Sequence, residues 1–344
     1  MPSREDGHDL LGEGKIPLEL LTRLLAEFPP SPPEVLLGVR PGEDACAIAV
    51  DRGVVVAAAD PITLTSEEGG RLAVMVNAND VAVTGARPSW FLAVVLVPPG
   101  STEALVQGLF RSIRGALDEL GAHLVGGHTE VTPAVTRPVV VGQMLGIAEE
   151  IVTTGGFRPG ELVVQVRPAP IEGSTVLARE AHGLETLDPA LLDEARAALE
   201  TPGVSVVDPA ILAASLGATA LHDPTEGGLA GGLHELAAAA GHRIVVDRSA
   251  VLWFPPGLAV CEALGADPWS TLASGTLLAT FPDSLAEAAL AAMAERGHHG
   301  AVIGRVEAGE GIQDEAGESI PWPDRDEVAR LLSARGDGDA DATI

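Results

Sequence analysis

The chain has 344 residues, 46% of them hydrophobic and 20% charged, a balance that supports two ordinary domains with substantial cores. Forty-nine acidic against 21 basic side chains give a formal charge of −28, which disfavours an extended nucleic-acid surface and anionic membranes alike, because both need clustered Lys and Arg. Lys15 is the single lysine, so any phosphate must be met by Lys15, arginines, backbone N–H groups or metal ions.

Cys46 and Cys261 lie far apart in apolar surroundings and read as core residues rather than a disulfide framework or a cysteine metal cluster. No apolar run is long enough to span a bilayer, and residues 1–6 lack the basic-then-apolar order of a signal peptide. A cytoplasmic location is therefore expected, with no membrane and no nucleic acid as partner.

In chain order, residues 17–28 (PLELLTRLLAEF) have the periodicity of an amphipathic helix, with proline in the first turn and Pro29-Pro30 ending it. Gly14-Lys15 stands just before. Residues 45–50 and 54–59 read as strands joined by Asp51-Arg52-Gly53, with glycine where a positive φ is tolerated. A hairpin centred on Arg52 sets Asp44 opposite Asp60. Two carboxylates that close repel unless a cation lies between them, and hard oxygen ligands suit Mg²⁺; the other reading has each capping a neighbouring turn.

Residues 72–83 are apolar on nearly every face, as in a buried helix that starts near Ser66-Glu67-Glu68 and stops at Gly85. Asn77 and Asp80 interrupt it. Burying both is costly without partners, and a three-residue spacing points them the same way. A metal ion or ligand satisfies that demand; so would backbone groups near the helix end.

A strand is expected at 89–97 and a helix at 101–120, followed by a short strand at 123–125. That strand runs into Gly126-Gly127-His128-Thr129-Glu130, a turn in which backbone N–H groups can approach a phosphate beside a hydroxyl and a carboxylate, or else a plain turn. A long strand at 137–149 closes this half. Turn residues at 154–160 mark a domain boundary.

Beyond it, strands at 161–166, 218–221, 243–247, 276–281 and 301–306 alternate with helices opening at Gly173, at 188–200, at 208–216, through Ala240 and at 283–296. His222-Asp223-Pro224-Thr225-Glu226-Gly227-Gly228 is a second polar, glycine-rich turn aimed at a helix start, and 273–276 is a third small polar turn. His298-His299 reads as a surface turn. The acidic stretch 336–344 is expected to be disordered.

These pieces resemble, in order, the superfamily of aminoimidazole ribonucleotide synthetase, thiamine monophosphate kinase, selenophosphate synthetase and hydrogenase expression/formation protein E, with wording closest to the last. The matching stretches are GEDACAI at 42–48, ADPIT at 59–63, VNANDVAVTGARP at 76–88, GGHTEVTP at 126–133, IEGST at 171–175, HDPTEGG at 222–228 and SGTLLA at 274–279. The resemblance implies a mixed α/β (α+β) fold of two domains, the amino-terminal one pairing with a second copy into a β-barrel-like homodimer core. It further implies ATP in a cleft, Mg²⁺ bridging its phosphates, and an unidentified small-molecule or carrier acceptor.

Carried over by residue, the resemblance makes Asp44, Asp60 and Asp80 metal ligands and sets Asn77 in the nucleotide-site helix. It assigns Gly126, Gly127 and Thr129 to a phosphate-side loop, and Asp223, Thr225, Gly227 and Gly228 to the second-domain loop. Lys15 would contact the terminal phosphate, and His128 or Glu226 would accept a proton from the acceptor. The expected segments are 1–36 with the first helix, 37–153 for ATP binding and dimerisation, 154–323 for the second domain, and 324–344 for a helix and tail. Three departures stand out: His128 where two family branches carry aspartate, leaving Glu130 to supply a carboxylate; Glu226 where the hydrogenase protein has arginine; and Asp341-Ala342-Thr343-Ile344 where that protein ends in a reactive cysteine. The expected chemistry is therefore activation of an acceptor oxygen by ATP without the cysteine-linked dehydration, a simple kinase and an ATP-binding maturation partner being the other readings.

Overall fold

A computed structural model describes residues 33–37, 45–63 and 68–333. The expected helix at 17–28, Lys15, Asp44, Ser66-Glu67 and the acidic stretch 336–344 lie outside them.

Two six-stranded sheets carry the described chain. The first contains β1 (Val35–Leu37), β2 (Ala45–Ala49), β3 (Val54–Ile62), β4 (Arg87–Val97), β5 (His123–Val131) and β6 (Val139–Ala148), in the order β1-β2-β3-β6-β4-β5. Helix α1 (Gly69–Ala82) joins β3 to β4, and α2 (Glu103–Leu120) makes the crossover to β5, the one strand of this sheet that runs parallel to its neighbour.

Of the residues in α1 only Arg71 escapes burial, as a helix apolar on nearly every face requires. It can lie close on the sheet because β6 presents glycines on one face. A Cβ at Gly142 would stand 2.4 Å from Asn77 Nδ2, and one at Gly146 would stand 2.8 Å from a Val81 methyl. Those contacts are too short for any side chain.

The β2–β3 hairpin departs from the expected register. Ala45 pairs with Ala58 and Ala49 with Val54, so the turn is centred between Asp51 and Arg52 rather than on Arg52. A slip of one residue exchanges the faces of a strand, which removes the geometric argument for Asp44 facing Asp60. Asp60 is instead paired through its backbone with Gly142 of β6.

The second sheet comprises β7 (Leu162–Val166), β8 (Ala220–His222), β9 (Arg243–Val246), β10 (Leu277–Phe281), β11 (Gly300–Glu307) and β12 (Ile312–Asp314), ordered β12-β9-β11-β7-β10-β8. Its helices are α3 (Glu172–Glu180), α4 (Pro189–Ala197), α5 (Val207–Ser215), α6 (Gly228–Ala240), α7 (Pro255–Leu264), α8 (Asp283–Glu295) and α9 (Glu327–Ser333). The short strand β12 has no counterpart among the expected strands. No single described helix is long and apolar enough to cross a membrane.

One apolar core runs without interruption from β2, β3, α1 and β4 of the first half into β7, α5, β10 and α8 of the second. A second core lies under α6, and a third joins α3, α4, α7 and α9. Polar bonds fasten the two halves inside the first core. Asn79 of α1, fully buried, donates from Nδ2 to the Val204 carbonyl at 2.9 Å and accepts the Val206 N–H on Oδ1 at 2.8 Å. Both backbone groups belong to the segment leading into α5. The Asn79→Ala change would leave both without a partner in a dry interior, and is expected to lower unfolding free energy by about 2–4 kcal/mol in urea titration. A loss below about 0.5 kcal/mol, the range of ordinary surface changes, would contradict that role.

Candidate active site

The end of β3 and three turns of the second half face one another across a cavity of about 230 Å³. Asp60, Pro61, Ile62 and Thr63 line one side, Leu72 and Val76 of α1 line another, and Glu172, Thr225, Glu226, Leu272 and Ser274 complete it.

Asp60 is held by the helix behind it. Asn77 accepts the Asp60 N–H on Oδ1 at 2.8 Å, while its Nδ2 donates to the Asp60 carbonyl at 3.2 Å and to the Ala73 carbonyl at 2.8 Å. The Asn77 amide, expected in the nucleotide-binding set, is fully buried and occupied by this backbone clamp. Its structural contribution is to position Asp60. Asp80 is 3% exposed and falls one turn beyond Val76, on the stripe 72-76-80 whose first two members line the cleft.

On the opposite side, backbone bonds stitch the turns together. The Gly173 N–H donates to the Leu272 carbonyl at 2.9 Å, and the Ala273 N–H donates to the Thr225 carbonyl at 3.2 Å. Gly227 and Gly228 follow with φ of +83° and +65°, and a Cβ at Gly228 would stand 2.5 Å from the Trp269 carbonyl oxygen, so the turn into α6 admits only glycine there. Asp326 accepts the Gly227 N–H on Oδ2 at 2.9 Å and thereby caps α6. Asp223 is 2% exposed and is not among the residues lining the cleft.

Glu172 opens α3 into this space with 7% of its surface exposed. Burial pushes its pKa up to about 7, against a hydrogen bond with Ser274 and with the negative charges of Asp326 and Glu226 adding to the rise. Asp326 is pushed to about 6, first by burial. The cleft thus holds a carboxyl that changes charge near neutrality. Neither Glu172 nor Asp326 was expected from the sequence. IEGST was legible as a matching stretch, but an acidic residue in a first helical turn ordinarily faces solvent, and nothing local reveals that Leu272 and Ser274 cover it.

Gly126, Gly127, His128, Thr129 and Glu130 are placed differently from expectation. They form no turn at a strand end; they continue β5 as an edge strand exposed along all nine residues. The parallel pairing with β4 carries the ladder through to Val131, and Gly127, whose Cβ would stand 2.0 Å from the Ala93 carbonyl oxygen, is where the two backbones meet most closely. His128 Nε2 lies 3.5 Å from Glu130 Oε2, both exposed on one face of the strand. The order β3-β6-β4-β5 puts three strand spacings, about 14 Å, between these groups and Asp60 within one chain.

Among the described residues no three His, Cys, Asp or Glu side chains converge as a protein-built metal cage. Mg²⁺ does not require one, since it is commonly held by one or two carboxylates together with substrate phosphates and water, and the hard oxygens of Asp60 and Asp80 fit that role. Of the cysteines, Cys261 is buried with its thiol pushed up to about 11, chiefly by that burial. Cys46, expected in the core, is only half-buried on β2.

The description "AIR synthase related protein, N-terminal domain" matches residues 38–148, and "AIR synthase related protein, C-terminal domain" matches residues 158–315. Carbamoyl dehydratase HypE of Rhodobacter capsulatus is 32% identical over 254 residues, covering 72% of each chain. Thiamine-monophosphate kinase of Corynebacterium glutamicum is 33% identical over 228 residues, covering 63% of this chain and 66% of its own. The crystal structure of hydrogenase maturation protein HypE in complex with ATP aligns with a TM-score of 0.69 at 23% identity, covering 82% of this chain and 89% of that one. At that identity the likeness is one of fold.

A buried carboxyl with a raised pKa has a definite effect on stability. Glu172 keeps its proton up to about pH 7 in the folded state but releases it near 4.5 when unfolded, so stability should fall as pH rises between those values. Asp326 acts in the same direction between 3.8 and about 6. In thermal melts across pH 4.5 to 7, Glu172→Gln should flatten a decline of up to about 3 kcal/mol. Because the lowered pKa values of His234 and His298 act in the opposite direction, the comparison decides: the same pH dependence in wild type and Glu172→Gln would contradict the placement of Glu172.

Proposed function

The chain belongs to the AIR synthase related family, matched over both halves, and from that premise we propose that its cleft binds ATP with Mg²⁺ and activates an oxygen atom of a small acceptor. One observation carries this reading: a carboxylate clamped at the end of β3, Asp60, faces a buried carboxyl that titrates near neutrality, Glu172, across a cavity between the two halves. The relatives add chemical direction. One is named a carbamoyl dehydratase, one a thiamine-monophosphate kinase, and a protein of the same fold is solved with ATP.

In this proposal Asp60 and Asp80 hold the cation, and the small turns at Thr225–Gly228 and Leu272–Ser274 offer the Thr225 and Ser274 hydroxyls to the triphosphate. Mg²⁺, when bound, neutralises phosphate charge as it redistributes. The acceptor oxygen forms a bond to the γ-phosphorus as the bond to the ADP oxygen breaks. Glu172 or Glu226 takes the acceptor's proton, and a pKa near the working pH suits Glu172 to that task. Burial of Glu172 would make its charge interactions stronger than in water. The acceptor is a small molecule or a carrier whose reactive oxygen is of carbamoyl, amide or phosphate type.

The same reading assigns the first half, 37–153, to nucleotide binding and pairing with a second copy, in the cytoplasm. An edge strand with Val125 56% exposed and Val131 62% exposed is a surface that ordinarily has to be covered. A homodimer formed through β5 would cover it and would carry His128, Thr129 and Glu130 to the interface. Val131→Lys is then expected to shift the chain to monomer in size-exclusion chromatography with light scattering, whereas an unchanged mass would remove β5 from the interface.

Calorimetry with Mg²⁺ and ATP tests the site directly. Asp60→Asn and Asp80→Asn should each weaken binding about tenfold or more, and Glu172→Gln should leave binding largely intact while slowing ADP release about a hundredfold against an acceptor panel of thiamine monophosphate, formylglycinamidine ribonucleotide and a carbamoylated carrier. Unchanged affinity in both aspartate variants would overturn the metal assignment.

A further inference from the structure

A second cavity, of about 310 Å³, lies away from the cleft, where the start of β4, one face of α5 and the turn after α8 come together. Asp208, Ile211, Leu212 and Ser215 recur at helical spacing and form one wall, while Arg87 and the pair Arg296 and His298 form the others. Arg87 belongs to the first half of the chain and Arg296 to the second, so anything bound here would touch both.

The charges are unusual for this chain. With 49 acidic side chains available, several described arginines are paired with carboxylates: Arg71 with Glu119, Arg179 with Glu68 and Glu200, Arg248 with Asp314, and Arg330 with Glu327. The Arg87 and Arg296 guanidiniums make no ion pair or hydrogen bond among the described residues, although they line the same cavity. Arg167, whose charge reaches His298, is tied to the carbonyls of Ser205, Pro202 and Gly203 and brings no counter-ion of its own.

Two guanidiniums without an ion pair among the described residues and an imidazole, set beside Ile211 and Leu212 with Asp208 as the one carboxylate in the lining, form a local cationic site on a strongly acidic protein. Guanidinium forks match the oxygens of a phosphate, and both guanidiniums are open to solvent and to an incoming ligand. Asp208 and Ser215 place acceptors at the rim, the Ser215 hydroxyl already donating to the Leu212 carbonyl at 2.7 Å. The Asp208 carboxylate repels an anion while both groups accept from a hydroxyl, which favours a phosphate group attached to a hydroxylated carbon frame over a bare anion.

We propose that the cavity between Arg87, α5 and Arg296–His298 is a binding site for a phosphate group, separate from the cleft and bridging the two halves. The state of His298 agrees with it. Its pKa is lowered, first by burial, and Asp208 opposes that while Arg167, Arg296 and His299 press it further down; a bound dianion would relieve the cationic crowding. No step of the activity proposed for the cleft uses these residues.

The test is calorimetry on the full chain with two probes, inorganic phosphate and glycerol 3-phosphate. Saturable binding of either probe is expected, weakened about tenfold or more in Arg87→Ala/Arg296→Ala and unaffected in Asp60→Asn, which alters only the cleft. If the alanine pair fails to fold by circular dichroism, Arg87→Lys/Arg296→Lys keeps the charge but loses the fork, and it too should bind more weakly. Tighter binding of the ester than of inorganic phosphate would identify Asp208 and Ser215 as hydroxyl acceptors, and Asp208→Ala should then remove that preference. Absence of saturable binding by either probe, or binding lost in Asp60→Asn and kept in the arginine variants, would overturn the site.

Discussion

The structure depends on satisfying polar side chains inside a helix that has almost no face toward water. In α1, Asn77, Asn79 and Asp80 are all buried, and each unpartnered amide or carboxylate there would cost a substantial part of a domain's net stability. The fold answers by giving each asparagine backbone to bind. Asn77 takes both backbone groups of Asp60, and Asn79 takes a carbonyl and an N–H from the approach to α5. One helix therefore sets the end of β3 on one side and the second half of the chain on the other. The cleft is the space those two attachments define.

This arrangement explains why a site built from distant segments can be rigid. Asp60 lies at a strand end, where a chain would otherwise fray, yet both its backbone groups are held by a side chain that is itself held by Ala73. The facing turns bind one another through backbone, and the glycine at 228 lets the chain pass within contact distance of Trp269 and Thr271. Because the apolar core continues from the first half into the second, the two walls of the cleft move as neighbours in one packed interior. The carboxyl of Glu172 gains its near-neutral pKa from that same enclosure.

The sequence disclosed much of this and concealed specific parts. Helix α1, the longer strands of both sheets and the family resemblance were readable, because apolar periodicity and glycine-rich motifs are local signals. Asp60, Thr225 and Glu226 do meet at the cleft. Register was not readable: with turn residues Asp51, Arg52 and Gly53 available, a centre one half-residue earlier is as consistent with composition, and only cross-strand packing decides. The stretch GGHTE looked like a turn because glycine pairs usually are, whereas here close backbone approach to Ala93 is what the glycine permits. Glu172 was invisible for a different reason, since its burial is made by residues a hundred positions away.

The account stands on the cleft between Asp60 and Glu172 being where a triphosphate and its cation sit. A crystal structure of the full chain grown with Mg²⁺ and a non-hydrolysable ATP analogue measures this most directly. The prediction is density for the phosphates between the end of β3 and the turns at 172–174, 225–228 and 272–274, with the cation within coordination distance of Asp60 or Asp80. Analogue density elsewhere on the molecule, with this cavity filled only by solvent, would contradict it.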